Sequence, residues 1–434
     1  MKNSIYNTLI SITKNSDILY NSYSNTFLVI ASEVSKHLGE PVFIKSQWKN
    51  LYKELIKNEF YVSDRVDEFE RLKQKAYQIA TFDKSFFLII NPTLDCNLRC
   101  WYCYENHVQG SVMEESMQQR VKLLIEQICK SSIESFTLGF FGGEPLMKYN
   151  SIVRPLIEFT QKICEEHHIH FNTTFTSNGT LLNANIIQQL TSFSPVSFQI
   201  TLDGDEECHN KVRFFHNKKG TYRLIMENIR ILLANKCHVT LRINHTSESV
   251  SSISSVIDEL KEMEAEYKAY LFVDFHRVWQ DKKGMGILPE IKEYTDKLEK
   301  TKVHAKYNSL NEINTPCYGD RKNTAVVNYN GDVFKCTAKD FTKENREGYL
   351  DEQGNIVWEK SQEHRLNSKL ANKPCHTCSI APLCGSGCTR YILEQETKKE
   401  YCLLDYSDEK KQKIVIEQIE TIIRKNEIPS LSAI

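Results

Sequence analysis

Cys96-Asn97-Leu98-Arg99-Cys100-Trp101-Tyr102-Cys103 follows a short apolar run, Phe86-Phe87-Leu88-Ile89-Ile90-Asn91. The run reads as a buried strand. Three thiolates this close in sequence can hold one 4Fe–4S cube by three of its irons. No fourth cysteine lies nearby. One iron would keep an open corner able to chelate an amino and a carboxylate group, and an open position marks a catalytic rather than a structural metal. A zinc knuckle has comparable spacing, so the spacing alone leaves both open.

Working outward, the chain alternates strands and helices. Strands are expected at Phe86–Asn91, Phe136–Phe141, His170–Thr176, Val196–Leu202, His238–Asn244 and Tyr270–His276. Amphipathic stretches lie between them, among them Met113–Cys129, Ile152–Glu165, Tyr222–Ala234 and Ser249–Met263. Six such repeats predict an α/β fold with a parallel sheet and outer helices. Ligands of such folds sit at the C-terminal strand ends, and the sequence places distinctive residues there. Gly142-Gly143-Glu144-Pro145 closes the second strand, Thr176-Ser177-Asn178-Gly179 the third, and Gln199 to Gly204 the fourth. The glycines permit close backbone approach. Arg242 on the fifth strand is either a carboxylate clamp or a plain wall residue.

Two flanking regions read differently. Before residue 83, Tyr6–Thr13 and Ile18–Asn21 form an expected hairpin, with Phe27–Ile30 as a third strand. Helices are expected at Ser32–Leu38, stopped by Gly39 and Pro41, and at Gln47–Asn58, with a closing strand at Phe60–Val62. This is a small α+β unit of winged-helix type. From about Thr315 the periodicity fades while cysteine, glycine and proline rise. Cys317, Gly331 and Cys336 lead to Cys375, Cys378, Cys384 and Cys388, then Cys402. Such a segment builds little apolar core, so a metal scaffold is the expected substitute. Paired Cys-x2-Cys elements also fit zinc. Cys129, Cys164, Cys208 and Cys237 read as core or surface residues. Residues 407–434 hold a charged helix and tail.

The Cys-x3-Cys-x-aromatic-Cys segment closely resembles the signature of the radical S-adenosylmethionine (SAM) superfamily, and the later cysteines resemble the SPASM domain that follows such barrels in peptide maturases and anaerobic sulfatase-maturing enzymes. The resemblance covers about Phe86 to Cys402. It implies a partial (β/α)6 TIM-like barrel over 84–310 and a cysteine-rich SPASM domain over 311–406, after the winged-helix-like unit of 1–83. It implies SAM contacts at Tyr102, Gly142, Gly143, Glu144, Pro145, Ser177, Asn178, Gln199 and Arg242, with Glu144 facing the methionine ammonium. It implies a SAM-binding cluster on Cys96, Cys100 and Cys103, a second 4Fe–4S cluster on Cys317, Cys336 and Cys388, and a third on Cys375, Cys378, Cys384 and Cys402. Some relatives carry an extra cysteine between the first pair of the second set. None occurs here from Tyr318 to Lys335, which leaves that cluster with an open iron or a ligand such as Asp320.

The first 83 residues resemble the leader-binding modules of enzymes that modify ribosomally made peptides, which add the leader as an extra strand; a structural cap on the barrel is the plain alternative. The expected activity is reductive cleavage of SAM to a 5′-deoxyadenosyl radical, followed by an oxidative thioether or carbon–carbon crosslink in a precursor peptide. Flavodoxin or ferredoxin is the expected reductant. Formylglycine formation on a sulfatase, dehydrogenation of a small alcohol, epimerisation, and a non-catalytic zinc regulator are the rival readings. With 55 Lys and Arg against 56 Asp and Glu, charge gives no push toward nucleic acid or an anionic membrane. No run approaches the roughly 20 apolar residues of a membrane helix, and no signal-peptide core is present. The cytoplasm is therefore the expected location, where 14 cysteines are better read as metal ligands than as disulfides.

Overall fold

The apolar runs after residue 84 pair side by side and all point the same way. In the computed structural model, which describes residues 1–281, 288–307, 310, 312–395 and 400–427, they are β1 (Ser85–Ile90), β2 (Ser135–Phe140), β3 (His170–Ser177), β4 (Val196–Leu202), β5 (His238–His245) and β6 (Leu271–Arg277). A helix follows each strand: α1 (Glu115–Cys129), α2 (Arg154–Glu166), α3 (Ala184–Phe193), α4 (Tyr222–Ala234), α5 (Ile253–Lys261) and α6 (Leu288–Glu299). This is the expected strand–helix alternation, with three of the four expected helix starts shifted by two to four residues and Tyr222–Ala234 unchanged. Met113, for example, stays outside α1 because its N–H donates to Pro92 O at 2.9 Å.

The sheet extends past these six strands on both sides. β7 (His304–Lys306) lies parallel to β6, and β8 (Thr324–Val327) lies parallel to β1. Then β9 (Asp332–Phe334), β10 (Gly348–Leu350) and β11 (Ile356–Trp358) continue antiparallel. The result is an 11-stranded sheet ordered β7-β6-β5-β4-β3-β2-β1-β8-β9-β10-β11.

Alternation along the strands sorts side chains onto two faces. Leu88, Leu138, Phe175, Phe198, Leu241 and Val273 are buried with the apolar faces of the helices. The opposite face is polar: Thr176, Gln199 and Thr240 form one row in register, and Thr201, Arg242, Asp274 and Lys306 the next. A parallel sheet covered by protein on both faces reads as continuous apolar runs. Polar rows set this face apart from the helix-covered one.

The chain divides into two units, Met1–Phe82 with Leu310–Lys322 and Ser361–Ile434, and Asp83–Ser309 with Asn323–Lys360. Residues 311–406 thus contribute to both units, since β8 to β11 belong to the sheet just described.

The first unit opens with an antiparallel sheet of Asn7–Ser11, Ser16–Asn21 and Thr26–Ala31, and Lys2–Asn3 pairs with Tyr61–Val62. The hairpin, third strand and closing strand are where the sequence puts them. The helices differ. Pro41 does not stop a helix but starts one, Pro41–Gln47, because proline at the first helical position lacks only an N–H that would be unpaired there. The preceding helix is reduced to Ser32–Ser35, and the following one spans Lys49–Lys57. Glu68–Thr81, for which no helix was expected, is the unit's long N-terminal helix; Asp67 caps it by accepting from Glu70 N–H at 3.0 Å.

The small sheet is covered on both sides. Leu19 and Ile30 pack with Val34, Leu38, Ile44, Leu55 and Phe60. On the other side Tyr20, with Ile10, Ile18 and Phe27, packs against Ile380, Leu383, Cys384, Val415 and Ile419. The last two lie on α7 (Asp408–Glu427). A sheet two-sided in this way needs both partners. Leu19→Ala and Ile419→Ala, on opposite sides, should each lower stability by about 2–5 kcal/mol, read as a lower urea midpoint for the transition of this unit.

Candidate active site

The cysteine loop is shaped before any cofactor is considered. Thr93 Oγ1 accepts from Asp95 N–H at 2.9 Å and donates to Ser111 O at 2.6 Å. Asp95 then holds the loop through both carboxylate oxygens, from Cys96 N–H at 2.9 Å and Gly110 N–H at 3.0 Å. Its carbonyl accepts from Glu144 N–H at 2.9 Å. That last contact brings the loop onto the turn after β2. A Cβ at Gly143 would lie 2.0 Å from Asp95 O, and Gly142, at φ +82°, would place one 2.5 Å from Thr93 O. Only glycine fits at either position.

Glu144 is fully buried and turned into the protein. Its carboxylate accepts from Leu146 N–H at 3.0 Å, Asn178 N–H at 2.7 Å and Ser177 Oγ at 3.0 Å. Burial pushes its pKa up to about 7 against these hydrogen bonds. Glu144 therefore joins the ends of β2 and β3. Asn178 in turn donates to Asn97 Oδ1 at 2.8 Å and faces Cys96 Sγ at 3.8 Å. Pro145 is buried at the start of the following short turn, Pro145–Lys148.

Tyr102 is the loop's other anchor. Its hydroxyl donates to Asp203 just past β4, and accepts from Arg213 Nη2 at 2.8 Å and Asn244 Nδ2 on β5 at 3.0 Å. Arg213 Nε donates to Asp203 Oδ2 at 2.6 Å. Burial works against the Arg213 charge, but Cys100, Tyr102 and Asp203 more than offset it. Below this network Arg242 Nε donates to Asn244 Oδ1 at 3.1 Å and stands opposite Asp274. Gln199 lies on the same polar face, in register with Thr176.

Cys96, Cys100 and Cys103 are held as neutral thiols by their surroundings. Burial pushes Cys96 up to about 12, with further contributions from Glu144 and from the other two thiols; Cys103 rises to about 11, and Cys100 rises too, both chiefly through burial. Thiols raised in this way need a strong local cation to become thiolates. Among the described residues no three His, Cys, Asp or Glu side chains close on one point as ligands of a single ion would. Ligands of a cube, each on its own iron, stand further apart. The loop fits a 4Fe–4S cluster.

Residues 90–260 match the radical SAM superfamily. That segment is a radical SAM domain. That superfamily implies a 4Fe–4S cluster and SAM. The chain is 24% identical over 340 residues to the cysteine-type anaerobic sulfatase-maturating enzyme of Clostridium novyi, covering 71% of this chain and 88% of that protein. It is 24% identical over 238 residues to the sporulation killing factor maturation protein SkfB of Bacillus subtilis, covering 50% and 54%. Among solved structures, the sulfatase-maturating enzyme anSMEcpe with bound AdoMet and Cp18Cys peptide superposes with a TM-score of 0.57 at 18% identity, covering 78% of this chain and 99% of that one. Streptococcus suis SuiB bound to SAM gives 0.53 at 15%, covering 92% and 98%.

In the first unit, Cys375, Cys378, Cys384 and Cys402 line one cavity with Leu404 and Tyr406. Burial, then the three other thiols, push Cys375 up to about 12, and burial pushes Cys384 to about 11. The four thiols share this cavity, and Cys375 senses the other three. Of the remaining set, Cys317 and Cys388 belong to this unit and Cys336 to the other. Asp320 is paired with Lys369 at 2.9 Å. Cys129 and Cys164 are core residues 3.8 Å apart, and Cys237 is buried too. Cys208 is half-buried in the short helix Glu206–Val212.

Asp203 falls within the segment singled out after β4, but Arg213, Asn244 and His209 carried no local signal. His209 is buried, accepting from Asp203 N–H at 3.3 Å and meeting Thr221 Oγ1 at 3.0 Å. Burial lowers its pKa to about 3, below the usual 6.5. The unfolded chain therefore takes up this proton first, and stability falls as pH drops from about 6.5 toward 3. His209→Gln should flatten that part of a stability–pH curve measured in urea. Gly143→Ala should displace the cysteine loop and sharply reduce iron bound there, read by iron analysis on protein that keeps its helical circular dichroism.

Proposed function

We propose that this enzyme cleaves SAM reductively and modifies a ribosomally made precursor peptide by an oxidative thioether or carbon–carbon crosslink. The observation that carries the reading is the extent of the likeness to SuiB, a protein solved with its precursor peptide SuiA: it takes in 92% of this chain, against 78% for anSMEcpe. The added 14% of 434 residues is about 61 residues, roughly three quarters of the length of the 83-residue N-terminal α+β unit. In this reading residues 1–83 are a winged-helix-like leader-binding module. Thr26–Ala31 is an edge strand of its small sheet, with unpaired backbone able to take up another strand.

Three 4Fe–4S clusters complete the reading. Cys96, Cys100 and Cys103 hold the one that binds SAM. Cys317, Cys336 and Cys388 hold a second, with an open iron or a ligand such as Asp320, which pairs with Lys369. Cys375, Cys378, Cys384 and Cys402 hold the third. A cluster held by Cys96, Cys100 and Cys103 would supply the electron for reductive cleavage of SAM to a 5′-deoxyadenosyl radical. The chain's own residues do the rest. Gly142 and Gly143 admit the cysteine loop, while Glu144, Pro145, Ser177 and Asn178 fix the strand ends around it. Tyr102, Gln199 and Arg242 line the polar face where SAM lies. Flavodoxin or ferredoxin supplies the electron in the cytoplasm; no helix among the described residues is long and apolar enough to cross a membrane.

Sulfatase maturation is the second reading, favoured by the 88% coverage of the Clostridium novyi enzyme. Both act on a peptide side chain, and the choice is experimental. Anaerobic incubation with SAM, a strong reductant and the precursor encoded beside the gene should remove two hydrogens from the precursor. A sulfatase-derived Cys peptide converted to formylglycine, with the precursor unchanged, would decide for the rival. Replacing Cys96, Cys100 and Cys103 together by Ala should abolish 5′-deoxyadenosine formation and leave about 8 of about 12 irons per chain bound. Retained SAM cleavage in that variant contradicts the assignment.

A further inference from the structure

The proposed reaction needs a proton acceptor, and the polar face of the sheet contains a histidine–carboxylate pair that no part of the SAM site uses. Asp274 and His276 lie two residues apart on β6, so both project to the same face. His276 Nε2 meets Asp274 Oδ2 at 2.7 Å. Asp274 is buried, whereas the His276 side chain retains 31% of its exposure. With Nε2–H donated to the carboxylate, the lone pair is on Nδ1, and among the described residues Nδ1 has no hydrogen-bond partner. A buried carboxylate that fixes the ring and leaves the other nitrogen open is how a histidine is prepared to take a proton.

Position ties the pair to the site. His276 stands in register beside Asn244 on β5, whose amide donates to the Tyr102 hydroxyl of the cysteine loop. Just beyond, Gln280 donates to Tyr102 O at 2.9 Å, and Trp279 stacks on Tyr104 with ring centroids 5.8 Å apart. The C-terminal end of β6 is thereby pinned to the loop, with His276 at the strand ends where ligands of such folds bind. Two nearby acids are engaged: Asp203 by Arg213 and Tyr102, and Glu144 by its buried hydrogen bonds. Arg242 faces Asp274 across the strands, and Lys306 lies 3.9 Å from it.

We propose that His276, oriented by Asp274, accepts the proton that the peptide radical sheds as it is oxidised to product. The assignment rests on the peptide-modifying reading. Loss of a hydrogen atom to the 5′-deoxyadenosyl radical leaves a radical on a substrate carbon. Forming the new bond then releases one proton and one electron. The proton goes to Nδ1 of His276, giving an imidazolium beside Asp274, and later leaves to water; the electron goes to an oxidised iron–sulfur cluster. His276 is the catalytic residue in this scheme, and Asp274 is a positioning residue.

The test measures 5′-deoxyadenosine and modified peptide in the same anaerobic reactions. His276→Ala should lower peptide modification about 100-fold while SAM cleavage stays within about threefold of the unsubstituted enzyme, as expected for loss of a general base. Added imidazole should restore part of the modification, and more basic imidazoles should restore more. Asp274→Asn should lower the yield of product per 5′-deoxyadenosine about tenfold or more without losing iron. If His276→Ala does not fold, His276→Gln, which can still donate to Asp274, decides by the same ratio. An unchanged ratio of product to 5′-deoxyadenosine in the folded His276 variant overturns the proposal. So does a joint loss of SAM cleavage and modification that imidazole does not relieve, since that is a structural role. If the unsubstituted enzyme splits SAM but alters no peptide, the functional reading fails, and this assignment with it.

Discussion

The site depends on a close approach of two backbones. Asp95 O accepts from Glu144 N–H with no room for a side chain at Gly143. This fixes the cysteine loop against the end of β2, and Glu144 carries the constraint on to Ser177 and Asn178 at the end of β3. Tyr102 extends it through Asp203 to β4 and Asn244 to β5. A loop with three cysteines would otherwise be mobile. Here four strand ends share in holding it.

The same sheet separates its two tasks by face. One side supplies a continuous apolar surface to the helices, and its burial is what stabilises the unit. The other carries Thr, Gln, Arg, Asp and His in rows, which would be costly to bury unpaired. Arg242 illustrates the balance: burial lowers its pKa and Asp274 opposes that. A polar face of this kind is sustained by its internal pairs and by ligands, and it is where radical chemistry can be kept apart from the core.

The cysteine-rich part of the first unit works differently. Cys375, Cys378 and Cys384 sit on short turns that could not stand alone, yet Ile380 and Leu383 between them join the core of the small N-terminal sheet and α7. The scaffold therefore shares an apolar core with elements from the other end of the chain. Sequence segments from the two ends of the chain cooperate in it, which no local pattern announces.

By itself the sequence determined the strand–helix alternation, because a period of two and a period of 3.6 are local properties of the chain. It determined the cysteine loop and the glycine pair as well, since short spacing and missing side chains are visible without a structure. It misread Pro41, whose effect depends on which helix position it occupies, and passed over Glu68–Thr81 although Asp67 and Glu70 bear a capping signal. Only the tertiary structure decided that β8 to β11 extend the main sheet, that Arg213 and Asn244 converge on Tyr102, and that His276 stands beside them. Those residues lie on different strands and loops, far apart in sequence. Their meeting is set by sheet register, a long-range property that composition and spacing do not encode.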